Sequence, residues 1–125
     1  MVRNLLDTTG ASIHVQTENF IDASTGISGS GPAYVFYFMN SMLEAALKMG
    51  FSKNDSKVLV SQTFEGAVKL FNESDLSPST WMERVASKGG TTRAALDSMD
   101  DNNVEELIKD AAYAAFDRAV ELGKE

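Results

Sequence analysis

Apolar residues recur along this chain at steps of three and four far more often than they alternate, and that spacing predicts helices. Between about Lys53 and Asn72, Val58, Leu59, Phe64, Ala67, Val68 and Phe71 fall mostly on one face, and Ser52 stands before them as an N-cap. The C-terminal segment repeats the rhythm with Val104, Leu107, Ile108, Ala111, Ala115, Ala119 and Leu122. Asn103 with Glu106 three residues on has the spacing of a capping pair for that helix. The small residues of AAYAA would let a neighbouring helix approach closely. Ser77 and Pro78 open a short helix carrying Trp81, Met82 and Val85, and a further helix from about Thr92 to Met99 stops at DDNN. ENFIDASTGI reads as a short helix ending near Gly29. VRNLLDTTG reads as the last turns of a helix stopped by Gly10, and only ASIHVQT alternates, as extended chain. The fold class is all-α.

One segment breaks the amphipathic rule. In PAYVFYFMNSMLEAALKMG, Val35, Phe36, Phe38, Met39, Met42, Leu43, Ala46 and Leu47 cover most of the helix circumference. Pro32 suits its first turn and Gly50 its end. A helix apolar nearly all round must be buried on every side. A small domain rarely encloses such a helix alone, so a second chain or domain is expected.

The chain has 125 residues, enough for one domain, with 43% hydrophobic and 23% charged residues. Its net charge of −7 argues against nucleic acid or an anionic membrane surface as partner. No apolar run approaches the ~20 residues that cross a bilayer. MVRNLLDTTG lacks the apolar stretch of a secretory signal, so a cytoplasmic location is expected. There is no cysteine. The single histidine, His14, leaves no basis for a zinc site and reads as structural. No metal site is expected.

Two glycine-rich stretches interrupt the helices. SGSGPAY, Ser28 to Tyr34, fails as a dinucleotide fingerprint because Tyr34 stands where a third glycine belongs and no clear βαβ unit surrounds it. Nor does it spell the Gly-x-Ser-x-Gly of a nucleophile elbow. It reads as a tight turn into the buried helix, whose first N–H groups could face an anion. SKGGTT, Ser87 to Thr92, fails as a P-loop but has richer chemistry. Consecutive glycines can curl successive N–H groups onto one anion, at the start of a helix that favours negative charge. Thr91 and Thr92 add hydroxyls. The residues alone leave a structural loop and a small-anion cradle both open. Asp75, Asp97, Asp100 and Asp101 are candidate acids that surface solvation or capping explains as well.

SGSGPAY followed about sixty residues later by SKGGTT resembles the C-terminal domain of pyrroline-5-carboxylate reductase. KMGF, QTFEGAVKL and AAFDRAVELGK also look like that family, and the resemblance runs from about Val2 onward. Lys88 departs from the proline commonest in the family's loop. The resemblance implies a helical bundle like the C-terminal domain of 6-phosphogluconate dehydrogenase, in an intertwined homodimer that can assemble further. It implies that residues 1–10 end a helix arriving from a Rossmann domain not contained here, and that 11–125 form the dimerization and substrate-binding domain.

The family's reaction is reduction of 1-pyrroline-5-carboxylate to proline by NADPH or NADH. Carried over, Ser87 and the N–H groups around Gly89, Gly90 and Thr91 would hold the substrate carboxylate. The Thr92 hydroxyl would bond the ring nitrogen as the catalytic contact. Gly29, Ser30, Gly31 and Pro32 would lie near the nicotinamide. An isolated chain of this kind is expected to be inactive, because the cofactor is held mostly by the other domain. A stand-alone, non-catalytic helical oligomerization module is the alternative, with a small-anion binding protein behind it.

Overall fold

In the computed structural model, residues 17–87 and 90–124 are described. The expectations for residues 1–16, including the incoming helix, ASIHV and His14, lie outside them, as do Lys88 and Gly89. The described residues form six α-helices and one π-helical segment, with no strand among them: α1 (Glu18–Ser24), the π segment (Thr25–Gly29), α2 (Gly31–Lys48), α3 (Lys53–Glu73), α4 (Pro78–Ala86), α5 (Gly90–Asp101) and α6 (Val104–Gly123). The all-α expectation is met.

Helix starts follow local chemistry. The Thr17 hydroxyl accepts from the Phe20 N–H, Ser52 from Asp55 and Ser77 from Thr80, each satisfying a donor that the helix leaves open. Pro32 and Pro78 sit in the first turns of α2 and α4, where a missing N–H costs nothing. Gly50, at φ 108°, ends the chain's path out of α2 in a conformation that other residues resist.

Two boundaries differ from expectation. α5 begins at Gly90, not Thr92, because first-turn residues need no intrahelical N–H bond and so escape much of the penalty that glycine and threonine incur inside a helix. Asn103 has φ 57°, a left-handed turn and not the extended backbone of an N-cap. Its carbonyl still accepts the Leu107 N–H at 3.0 Å, so the helix starts there without the expected capping geometry.

The helices group into two units. The first holds α1, the π segment and α6 from Ala111 onward. The Ser30 N–H reaches back five residues to the Thr25 carbonyl at 2.8 Å, and this wider turn brings Gly26 into burial. A Cβ at Gly26 would stand 2.7 Å from the Ala112 carbonyl oxygen and 3.2 Å from the Phe116 nitrogen. The small residues of AAYAA therefore do admit a close backbone neighbour.

The second unit runs from Pro32 to Asp110. Phe38 of α2 meets Phe64 of α3 edge to face, with ring centroids 5.4 Å apart. The Trp81 indole N–H donates to Ser74 Oγ at 3.0 Å, tying α4 to the connection before it. On α6, hydrogen bonds to Glu106 and then Glu105 hold the Lys109 ammonium above its usual pKa. That contribution is present below the ordinary lysine range and is lost as pH rises through the raised pKa, so only its loss is confined to alkali.

Enclosure is sparse. Among the described residues the buried apolar side chains are Val60 and Ala86, at 6% and 7% exposure. Within the second unit α2 buries none of its side chains, and Phe36 and Tyr37 are 67% and 80% exposed. Each large apolar side chain left in water forgoes about 1.5–3 kcal/mol relative to full burial.

Two substitutions test this packing. Gly26→Ala should cost about 1–3 kcal/mol, because backbone atoms on α6 have nowhere to move. Ser56 is 1% exposed and its hydroxyl has no hydrogen-bond partner, so Ser56→Ala should be neutral or stabilising. Urea denaturation of both variants measures the contrast. A tolerated Gly26→Ala would show that the π segment does not press on α6.

Candidate functional site

The second glycine stretch runs from the end of α4 at Ala86 into the start of α5 at Gly90. Ser87 closes α4 with helical backbone angles, and its N–H already donates to the Glu83 carbonyl at 2.9 Å. Its hydroxyl donates to the Arg84 carbonyl at 2.8 Å. In this arrangement Ser87 has no hydrogen left to offer a carboxylate, and the hydroxyl must rotate before it can serve one. Gly89 lies outside the described residues.

Gly90, Thr91 and Thr92 are the first three residues of α5, and N–H groups at those positions have no acceptor within their own helix. They sit at the positive end of a helix dipole, which favours a negative charge. A Cβ at Gly90 would meet nothing within 4 Å, so that side is open to an approaching group. Here the donors gather because a helix begins. Gly90 has no positive φ.

Thr92 is half-buried and lines an apolar groove of about 500 Å³. Phe71 of α3, Trp81 and Val85 of α4 and Leu96 of α5 complete its principal walls. Thr92 is thus an amphipathic border residue, with a helix-start N–H and a hydroxyl beside an apolar trough. Sequence reasoning placed Trp81, Met82 and Val85 on α4 but did not place them around Thr92. The Arg84 guanidinium lies over the Trp81 ring, 5.4 Å from its centroid.

Across the connection, Arg93 Nη2 donates to both carboxylate oxygens of Glu83, at 3.1 and 3.2 Å. Sequence reasoning missed this pair as well. A signal was present, since an arginine in the first turn of a helix opposes the dipole and calls for a compensating partner.

The other stretch is the entry to α2. Gly29 ends the π segment, Ser30 bridges with its N–H bonded to Thr25, and Gly31 and Pro32 begin the helix. A Cβ at Gly31 would meet nothing within 4 Å, so the backbone there has room for a flat group alongside it. With no strand among the described residues, this stretch is not the turn of a βαβ unit. No group of three or more His, Cys, Asp or Glu that could hold a metal occurs among the described residues.

Comparison with known proteins decides the relationship. The family described as pyrroline-5-carboxylate reductase dimerisation matches residues 18–122, which include both glycine stretches. The chain belongs to that family. A pyrroline-5-carboxylate reductase of Pseudomonas aeruginosa is 39% identical over 121 residues, covering 97% of this chain and 44% of the relative. Pyrroline-5-carboxylate reductase 2 of Bacillus subtilis is 37% identical over 118 residues, covering 94% and 42%. The crystal structure of Plasmodium falciparum pyrroline carboxylate reductase with NADP bound matches with a TM-score of 0.90 and 34% identity, over 98% of this chain and 46% of that one. A Coxiella burnetii pyrroline-5-carboxylate reductase matches equally well, with a TM-score of 0.90 and 36% identity over 97% and 45%. The chain spans less than half the length of the curated relatives it matches. The family resemblance noted from SGSGPAY and SKGGTT is therefore correct. No helix among the described residues is long and apolar enough to cross a membrane.

Proposed function

We propose that this chain is the dimerization and substrate-binding domain of a cytoplasmic reductase that converts 1-pyrroline-5-carboxylate to proline. The observation that carries this reading is the family match, which includes SGSGPAY and the described part of SKGGTT. A bound nicotinamide cofactor would supply a hydride to the imine carbon, and the ring nitrogen would take up one proton from solvent to become the amine of proline. The relatives carry more than twice this span, and the reading assigns most of the cofactor's binding to that further portion. Residues 11–125 then form the substrate and dimer domain, with residues 1–10 as the approach to it.

This chain's own part is to bind and orient. The N–H groups of Gly90 and Thr91, aided by the α5 dipole, receive the carboxylate, with Gly89 beside them. Ser87 joins them once its hydroxyl leaves the Arg84 carbonyl. The Thr92 hydroxyl holds the ring nitrogen, whose basicity grows as hydride arrives. Gly29, Ser30, Gly31 and Pro32 lie near the nicotinamide end of the cofactor in this reading, and the open side of Gly31 supports it. The work is positioning and electrostatic preorganisation, without a covalent step.

The partner is a second copy of the same chain. The exposed apolar circumference of α2 and the groove beside Thr92 are surfaces that a small domain does not leave in water. The family description names dimerisation. Further assembly of dimers is compatible with this reading.

The protein expressed from its own gene should oxidise NADPH or NADH only when 1-pyrroline-5-carboxylate is present. In that protein Thr92→Ala should lower kcat about tenfold, the scale of one hydrogen bond to a charged group, with little change in Tm. Unchanged kinetics with a collapsed Tm would remove Thr92 from the reaction.

Association has its own readout. Tm should rise with protein concentration, since folding and pairing are linked. Phe71→Asp should abolish that dependence and halve the mass in sedimentation, because Phe71 is 52% exposed in one chain and lines the groove. A wild-type chain that sediments as a monomer at micromolar concentration would contradict the dimer.

A further inference from the structure

Glu83 and Arg93 stand in the wrong places for their own helices. Glu83 lies in the last turn of α4, where the dipole disfavours an anion, and Arg93 lies in the first turn of α5, where it disfavours a cation. Neither charge stabilises the helix that carries it. Together they cancel, because Arg93 Nη2 bonds both oxygens of Glu83 across the connection from Ser87 to Gly90. Three residues, Ser87 to Gly89, separate the two helices along the sequence. The ion pair adds a side-chain link between the two helices.

We propose that the Glu83–Arg93 ion pair is a clasp that sets the approach of α4 to α5 and thereby positions the Gly90–Thr92 donors for the carboxylate substrate. The inference rests on the function proposed above and goes beyond it by naming two positioning residues that do not themselves touch the substrate. A rival account has Arg93 attract the carboxylate directly by its charge. The two accounts part when the charges are exchanged. Glu83→Arg combined with Arg93→Glu keeps the clasp but puts a negative charge beside the substrate. It also places each charge at the end that its helix prefers.

The test uses the protein expressed from its own gene, with Arg93→Ala, Glu83→Ala and the exchanged double variant. Amide hydrogen exchange is followed at residues 87–92, and steady-state kinetics are measured with 1-pyrroline-5-carboxylate. Each single variant should speed exchange at those residues. Each should also raise KM for the carboxylate substrate about two- to fivefold, the range open to a solvent-exposed pair, while KM for the nicotinamide cofactor stays fixed. The double variant should return both quantities to near the wild-type values. Unchanged exchange and KM in the single variants would overturn the clasp. Restored exchange with KM still raised would overturn positioning in favour of direct attraction. A wild type with no reductase activity but with the predicted exchange pattern would sink the proposed function and leave the clasp standing as the element that orders the connection.

Discussion

The whole arrangement depends on one constraint: α2 is apolar nearly all round, and one copy of the chain encloses almost none of it. Val60 and Ala86 are the buried apolar side chains among the described residues, while Phe36 and Tyr37 stand largely in solvent. Hydrophobic burial is the main favourable term in folding. A chain that withholds it at its longest apolar stretch leaves that surface available to another domain or a second copy. Local chemistry at Ser52, Ser77, Pro32 and Pro78 sets where helices begin, and covering α2 would add the burial that one copy lacks.

The same constraint shapes the candidate site. Thr92 borders the apolar groove and also belongs to the first turn of α5. A partner that fills the groove would dry the surroundings of that turn, and charge interactions strengthen as water is excluded. Association and anion binding would then share one surface, the dimer supplying the low dielectric and the helix start supplying the donors. The SKGGTT stretch needs no acid, base or nucleophile for such a role, in keeping with a chain that has no cysteine and a single histidine.

Much of this was legible in the sequence, and the rest was hidden for definite reasons. Pro32, Gly50, Ser52 and Ser77 each announce a boundary through their own backbone or side-chain chemistry, and each boundary fell where expected. Gly90 and Thr91 were left out of α5 because propensity describes helix interiors, and a first turn is exempt from most of it. Asn103 satisfied a spacing rule while adopting a left-handed φ, which spacing cannot reveal. The π segment at Thr25–Gly29 leaves no periodic trace, since one widened turn only shifts the phase of the helix. The groove around Thr92 is assembled from α3, α4 and α5, and a periodicity confined to one helix carries no information about which neighbours it meets.

Trp81 is the chain's one tryptophan, it forms a wall of the groove, and its indole N–H is fixed on Ser74. An indole hydrogen-bonded on one edge at the wall of an apolar trough is an internal fluorophore sensitive to the water around it. The colour of its emission would therefore record whether the groove is covered, an optical gauge built into the chain and free of any label.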